Sequence, residues 1–179
     1  MTQDDGLVGA TDDDSEWALI LAQSLVEAGV RVVATVPDGA TSKVYARLPK
    51  EISRPLITRE EEGVGILSGA YLSGRLGALL IQNTGLGNAI NGLAGYAIPA
   101  GIPMLLIVTL RGDLGEFSGA QVPIGLATEP ILTAMGIPVH QLRDRANIRQ
   151  TIVGAMALSI AGNRPVAVIL RTALTGGKE

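Results

Sequence analysis

One segment of the sequence, residues 77–98, restricts the fold more than any other. The apolar run 77–81 leads into a polar turn that contains glycine, residues 82–88, and then into an apolar helical pattern over about 86–98. This order predicts a buried strand, a tight turn and a helix, the unit from which parallel α/β sheets are built. Open α/β sheets bind ligands at the carboxyl ends of their strands, where the next helix presents free backbone N–H groups. The turn at 82–88 is therefore the first candidate for a ligand site.

The same alternation of strand and helix patterns recurs along the chain. Because each crossover is long enough to return the next strand parallel to the last, the sequence predicts an α/β fold with a doubly wound, mostly parallel six-stranded sheet flanked by helices. The composition agrees, since 47% hydrophobic residues with only 3% aromatic residues indicate a core of aliphatic side chains. The predicted strands are residues 30–36, 55–58, 77–81, 102–109, 136–139 and 166–170.

Length, charge and cysteine content exclude several kinds of protein. With 179 residues, we expect one domain over 15–175, preceded by an acidic, flexible tail at 1–14. A net charge of −3 argues against a nucleic-acid partner, and the absence of cysteine excludes disulfides and thiolate metal sites. The N-terminal segment is acidic rather than cationic, and the apolar runs are far shorter than the ~20 residues of a membrane span. These features predict a cytoplasmic protein without a membrane contact or a metal site of its own.

Polar residues follow the first four predicted strands, and parallel strands place such loops at one edge of the sheet. Asp38 follows the first strand, three consecutive glutamates at 60–62 follow the second, the turn 82–88 follows the third, and Arg111 opens a long loop at 111–121 after the fourth. The edge of the sheet is therefore the predicted site.

Each of these features also has a purely structural explanation. Asp38 precedes Gly39 and is typical of a turn. The glutamates complement the dipole of the helix that they begin. The turn at 82–88 resembles a dinucleotide-binding turn, but Ile90 stands where that fingerprint requires its third glycine. His140 is expected to be a structural or surface residue and Trp17 a core residue.

In their order and spacing, four motifs resemble the pyrimidine-binding domain of thiamine diphosphate enzymes of the sulfopyruvate and phosphonopyruvate decarboxylase family. The likeness covers nearly all of the chain beyond residue 14. It implies the alpha subunit of a 2-oxoacid decarboxylase that converts 3-sulfopyruvate to sulfoacetaldehyde and CO₂, with 3-phosphonopyruvate as the alternative substrate. The motifs are Val36-Pro37-Asp38, Glu61-Glu62-Gly63 leading to Gly69-Ala70-Tyr71-Leu72, residues 82–88, and Arg111-Gly112-Asp113.

The resemblance also implies roles for individual residues. Its spacing from Gly69-Ala70-Tyr71 assigns to Glu61 the carboxyl that hydrogen-bonds N1′ of the aminopyrimidine, with Glu60 and Glu62 one position away as alternatives. Asp38 would face the reacting carbon and assist proton transfer, and Arg111 would pair with the sulfonate or phosphonate. One wall of the pyrimidine pocket would be formed by Gln82, Asn83, Thr84, Gly85, Leu86 and Gly87.

One expected motif of these enzymes is missing. They hold the diphosphate through Mg²⁺ bound by Gly-Asp-Gly and a later Asn, whereas the only Gly-Asp pair here, Gly112-Asp113, is followed by Leu114. The resemblance therefore implies a beta subunit that carries the diphosphate-binding domain with Mg²⁺, and a hetero-oligomer active only when both subunits are present. A different hypothesis is a non-catalytic α/β module that binds a nucleotide or a protein partner and regulates it. The sequence decides neither between sulfonate and phosphonate nor the number of subunits.

Overall fold

A five-stranded parallel sheet forms the centre of the protein in a computed structural model that describes residues 15–176. The strands lie in the order β1-β2-β3-β5-β4, and every neighbouring pair is parallel. The α/β prediction is therefore confirmed, with five strands instead of six. The strands are β1 (Val30–Thr35), β2 (Leu76–Gln82), β3 (Met104–Thr109), β4 (Val139–Leu142) and β5 (Pro165–Leu170).

Helices cover both faces of the sheet and bury two separate cores. The first core packs α1, α2 and α6 on one face, and the second packs α3, α4 and α5 on the other. Strands β3 and β5 are buried along their whole length, as expected for parallel strands between two helical layers. The helices are α1 (Glu16–Glu27), α2 (Thr41–Tyr45), α3 (Glu60–Leu72), α4 (Leu86–Gly92), α5 (Val122–Ala134), α6 (Ile148–Gly162) and α7 (Thr172–Thr175).

The predicted strand at 55–58 is not a full strand of the sheet. Residues 53–57 run beside β1 through two isolated parallel bridges, Val32 with Ser53 and Thr35 with Leu56. Pro55 has no N–H to donate to the ladder. Its carbonyl accepts from Thr35 N–H at 3.2 Å, and Ile57 N–H donates back to the Thr35 carbonyl at 3.0 Å. A segment this short and interrupted in this way leaves only an edge pairing.

Two other boundaries differ from the sequence predictions. The weak strand predicted at 136–139 is observed as β4, three residues later in the chain. The helix predicted to start at Thr128 begins at Val122, because Pro123 fits the first turn of a helix and extends it toward the N-terminus. The helix after β2 continues from α4 through one π-helical turn, Leu93–Ala97. The predicted tail, residues 1–14, lies outside the described part of the chain.

Within residues 15–176, no helix combines the length and apolar character that crossing a membrane requires.

Candidate active site

The carboxyl ends of β1, β2 and β3 meet at one edge of the sheet, beside a cleft of about 910 Å³. Asp38 lines this cleft from the loop after β1, Gln82 from the end of β2, Thr109 from the end of β3, and Arg111 from the following loop. The structure thus brings together three predicted site residues, Asp38, Gln82 and Arg111. Glu61 does not line this cleft, although the turn after β2 connects the two places.

The carboxylate of Asp38 accepts four hydrogen bonds. Its Oδ1 accepts from the backbone N–H groups of Ala40 at 2.8 Å and Thr41 at 2.6 Å, so Asp38 holds the turn that leads into α2. Its Oδ2 accepts from Gln82 Nε2 at 3.2 Å and from Thr109 Oγ1 at 3.0 Å. One carboxylate therefore ties together the ends of three neighbouring strands and is fixed in orientation at the cleft.

The turn after β2 holds the starts of α3 and α4 together through Glu60. This glutamate is only 8% exposed, and its Oε2 accepts a hydrogen bond from Asn88 Nδ2 at 2.8 Å. A Cβ at position 85 would lie 1.8 Å from Glu60 Oε1, so only glycine fits there while Glu60 keeps this position. Glu60 therefore makes a buried contact that holds the start of α3 against α4.

The other two glutamates at the start of α3 are exposed. Glu62 accepts hydrogen bonds from the hydroxyl and the backbone N–H of Thr58, at 2.7 and 3.1 Å, and these bonds lower the pKa of Glu62. Glu61 lies 3.0 Å from Arg59 Nε in a surface ion pair, with 44% of its side chain exposed. Such a pair is weak and easily exchanged for another partner. Among the three glutamates, Glu61 is therefore the one most available to a ligand.

The six residues predicted to form a pocket wall differ in what they present to the surface. Gln82 is half-buried, and its amide oxygen accepts from Thr84 Oγ1 at 2.7 Å. Thr84 and Gly87 are exposed, and a Cβ at Gly87 would meet no atom within 4 Å. The side chains of Asn83 and Leu86 are fully buried, together with Gly85, and shape the turn from beneath.

Asn83 fastens the loop after β3 to the turn after β2. Its Nδ2 donates to the Arg111 carbonyl at 2.9 Å and to Thr128 Oγ1 at 3.0 Å, and its Oδ1 accepts from Arg111 N–H at 2.9 Å. All of these bonds are at least partly shielded from water, where hydrogen bonds hold most firmly. The position of Arg111 is therefore set by the end of β2.

The guanidinium of Arg111 is paired with Glu116. Arg111 Nε donates to Oε2 at 2.7 Å and Nη2 to Oε1 at 2.6 Å, a two-bond arrangement that favours arginine over lysine. The same carboxylate accepts from the N–H groups of Gly112 and Ser118, at 2.9 and 3.0 Å. The hydrogen bonds from Arg111, followed by that from Gly112, lower the pKa of Glu116 to about 2. Arg111 and Glu116 thus form a closed unit inside the loop.

The base of this loop is closed by two glycines. Gly112 has φ +75°, and a Cβ there would lie 2.2 Å from the Gln121 carbonyl oxygen. A Cβ at Gly125, in the first turn of α5, would lie 2.4 Å from the Gly112 oxygen. Next to them, Asp113 accepts two hydrogen bonds from Arg171. Burial raises the pKa of Asp113, but these bonds and those from backbone N–H groups outweigh burial and hold it below its usual value.

Several residues at the cleft were not predicted from the sequence. Thr109 ends an otherwise apolar strand, and that change of polarity is a signal that identifies it in retrospect. Lys43 of α2 and Trp17 of α1 also line the cleft. Trp17 is 2% exposed and belongs to the core, as predicted, whereas His140 is exposed on β4. No group of three or more His, Cys, Asp or Glu side chains in the described part of the chain is arranged to hold a metal ion.

Comparison with known proteins identifies the family. Residues 16–115 match the family described as thiamine pyrophosphate enzyme, N-terminal TPP binding domain. The chain is 39% identical over 150 residues to sulfopyruvate decarboxylase subunit alpha of Methanococcus maripaludis, covering 83% of this chain and 90% of that protein. It is 44% identical over 146 residues to the subunit of the same name from Methanothermobacter thermautotrophicus, covering 80% and 88% of the two chains.

A longer relative matches as well. Phosphonopyruvate decarboxylase of Streptomyces viridochromogenes is 36% identical over 161 residues, which cover 87% of this chain but only 38% of that protein. The family match spans more than half of the chain and includes β1, the glutamate-rich start of α3, the turn after β2 and the loop that carries Arg111. The chain therefore belongs to the thiamine pyrophosphate enzyme family and contains its N-terminal cofactor-binding domain.

Proposed function

We propose that this chain is the alpha subunit of a thiamine diphosphate-dependent decarboxylase that converts 3-sulfopyruvate to sulfoacetaldehyde and CO₂. The observation that carries the proposal is the identity of 39 and 44% with two proteins named sulfopyruvate decarboxylase subunit alpha, over at least 80% of this chain. The position of the polar residues at the carboxyl edge of a parallel sheet supports it, because that edge is where such folds bind ligands.

The surface near Glu61 fits the aminopyrimidine half of thiamine diphosphate. Glu61 offers an exposed carboxyl at the start of α3, and one turn later on the same helix Gly65 leaves open space where a side chain would stand. Gly87 does the same at the start of α4. A flat ring needs a hydrogen-bonding group and a surface free of side chains, and both are present here.

Bound thiamine diphosphate would supply the nucleophilic carbon and the electron sink that decarboxylation of a 2-oxoacid needs. In this proposal Glu61 shares a proton with ring nitrogen N1′, exchanging its surface pair with Arg59 for the ligand. Gln82, Thr84 and Gly87 form the exposed part of the pocket wall, supported by buried Asn83, Gly85 and Leu86.

Asp38 and Arg111 act on the substrate side in this proposal. Asp38, held by donors from three strand ends, exchanges a proton with the reacting carbon in the cleft. Arg111 has fewer donors open to a substrate than the sequence predicts, because its Nε and Nη2 both donate to Glu116. In the described structure no hydrogen bond involves Nη1, which remains for a substrate oxygen.

A partner beta subunit supplies the diphosphate site and its Mg²⁺ in this proposal. The sequence contains no Gly-Asp-Gly motif, and the longer phosphonopyruvate decarboxylase has most of its length outside the region that this chain matches. The relatives' designation as subunit alpha agrees with a separate partner. We treat residues 15–175 as one pyrimidine-binding domain, and the cytoplasmic location stays a prediction.

The experiment that tests this proposal uses the chain purified together with its partner subunit. Loss of 3-sulfopyruvate and formation of the aldehyde are measured with thiamine diphosphate and Mg²⁺, for the wild type, Glu61→Ala and Glu62→Ala. General acid–base groups contribute about 10²- to 10⁴-fold, so Glu61→Ala should lower kcat by at least about 100-fold. Because Glu61 is exposed, its removal should leave the urea midpoint unchanged.

Glu62→Ala is the matched control, since it removes a neighbouring carboxylate that accepts its hydrogen bonds from Thr58. Equal activity of Glu61→Ala and Glu62→Ala would show that Glu61 has no special role in catalysis. A wild-type complex that turns over neither 3-sulfopyruvate nor 3-phosphonopyruvate would refute the proposed decarboxylase activity. It would favour the hypothesis of a non-catalytic α/β module that regulates a partner.

A second substrate is supported by the 36% identity to phosphonopyruvate decarboxylase over 87% of this chain. Sulfonate and phosphonate offer similar anionic oxygens to the same donors, but the phosphonate carries a second charge near neutral pH. A direct comparison of kcat/KM for the two oxoacids with the same complex decides between them.

A further inference from the structure

The cleft that Asp38 lines also contains cationic side chains that no carboxylate of the described residues neutralises. Four cationic side chains line it, and two of these are neutralised by carboxylates. Arg111 is bonded to Glu116, and Arg145 lies 2.5 Å from a carboxylate oxygen of Glu16. The remaining cations are Lys43 and Arg143.

Position separates these two remaining cations. Arg143 is exposed, donates to the Gln141 amide oxygen at 3.0 Å, and follows β4 at the far end of the sheet. At a strand spacing of about 4.8 Å, the fourth strand along from β1 is roughly 19 Å away. Lys43 is half-buried on α2, two residues after Thr41, whose N–H donates to Asp38. Lys43 is therefore the cation beside the Asp38 site.

The ammonium of Lys43 has no carboxylate within ion-pair distance anywhere in residues 15–176. A half-buried cation of this kind normally has a partner, because partial removal from water weakens its hydration. Its charge is thus available to an anion that enters the cleft.

Trp17 borders the same cleft but offers it no donor. The indole nitrogen of Trp17 is closed to solvent. Trp17 on α1 and Lys43 on α2 both line the cleft, and these two helices share one core. Trp17 therefore forms part of the wall, and Lys43 supplies the charge.

We propose that Lys43 binds the sulfonate or phosphonate group of the substrate. The inference rests on the proposed function and identifies the residue that recognises the second acidic group. The oxygens of such a group can accept from the ammonium, and the lysine charge offsets the repulsion from Asp38. Selection of a 3-sulfo- or 3-phosphono-oxoacid over pyruvate then depends on Lys43.

The test compares wild type, Lys43→Met, Lys43→Arg and Arg143→Met in the complex with the partner subunit. Methionine keeps the apolar stem and removes the charge, whereas arginine keeps the charge. A lost charged hydrogen bond corresponds to about 10- to 100-fold in binding, so Lys43→Met should raise KM for 3-sulfopyruvate by that factor. Its kcat/KM for pyruvate, which has no sulfonate, should not fall, and Lys43→Arg should recover most of the loss.

Arg143→Met is the matched control, because it removes a cation from the same cleft at the opposite end of the sheet. It should leave KM for 3-sulfopyruvate within about twofold. The inference is wrong if Lys43→Met leaves that KM unchanged, or if it lowers kcat/KM equally for 3-sulfopyruvate and pyruvate, which indicates a general structural role.

A binding measurement separates this inference from the proposed function. Sulfoacetate, a sulfonate that is not a 2-oxoacid, is titrated calorimetrically into the complex with and without Lys43→Met. Weaker binding by the variant supports the Lys43 site even in a complex that does not decarboxylate 3-sulfopyruvate. Equal binding, or no binding to the wild type, overturns the inference while leaving measured decarboxylation intact.

Discussion

Replacing Gly85 by alanine tests the contact between α3 and the turn after β2. The new Cβ would lie 1.8 Å from Glu60 Oε1, 2.2 Å from Cδ and 2.7 Å from Cγ, so the whole carboxyl end of Glu60 must move. Moving it breaks the 2.8 Å hydrogen bond from Asn88. Hydrogen bonds to charged groups contribute about 1.5–3 kcal/mol, and because the displaced atoms are the end of a flexible side chain, the lost bond is the main cost.

A smaller gain opposes this loss. Gly85 has φ −84° and ψ −9°, which alanine adopts without strain, so the substitution recovers about 0.4–1 kcal/mol from the unfolded chain. The net expectation is a loss of about 1–2 kcal/mol in the free energy of unfolding. Urea unfolding followed by circular dichroism measures it as a lower midpoint with an unchanged slope.

Gly87→Ala is the control for this experiment. Gly87 lies in α4, and its Cβ would meet nothing within 4 Å, so the same chemical change should stabilise the chain by up to about 1 kcal/mol. The double variant Glu60→Ala with Gly85→Ala should lose less than the sum of the two single variants, because that sum counts the lost Asn88 hydrogen bond twice and includes a clash that the double variant lacks. Equal midpoints for Gly85→Ala and Gly87→Ala would refute the reasoning.

Two further predictions concern the cleft. Thr109→Val removes the hydroxyl donor to Asp38 while keeping the shape, and should cost about 1.5–3 kcal/mol in urea unfolding and lower kcat of the complex. Thr84→Val, which removes an exposed hydroxyl, should change stability by less than about 0.5 kcal/mol. The carboxyl of Glu116 has a pKa of about 2 in the folded chain, lowered from about 4.5 by Arg111, so its stabilisation is complete above pH 4.5 and is lost as the pH falls toward 2. Between pH 5 and pH 2.5, Tm should therefore fall less steeply for Glu116→Gln than for the wild type; parallel curves would contradict this.

The fold was predictable because apolar strands and glycine turns alternate at regular intervals. The sequence could not show that the segment around Pro55 pairs with β1 through only two isolated bridges. That outcome depends on how the backbone N–H and carbonyl groups of the two segments line up in the folded chain. Nor could it show that α5 begins at Val122, because the long polar loop and the helix share the same glycine-rich composition over 111–125.

The sequence predicted that Asp38, Gln82 and Arg111 would share one edge of the sheet, as observed, but not the contacts of each side chain there. Three consecutive glutamates differ by about 100° around a helix, and only the packed structure shows that Glu60 is buried, Glu62 bonds Thr58 and Glu61 is exposed. The pairing of Arg111 with Glu116 follows no periodic pattern, because both lie in an irregular loop. Their pairing depends on backbone positions fixed by buried Asn83.

The backbone crossing of Gly112 and Gly125 divides the loop after β3 into a base and a tip with different freedom to change. The base admits no side chain at either glycine, whereas Leu114 and Phe117 at the tip are 91% and 68% exposed. Substitutions of Phe117, which lines the cleft, or of Leu114 therefore change the exposed surface of the loop while Glu116 between them keeps its bonds to Arg111. A library aimed at other 2-oxoacids should therefore vary Leu114 and Phe117 and leave Glu116 and the two glycines unchanged.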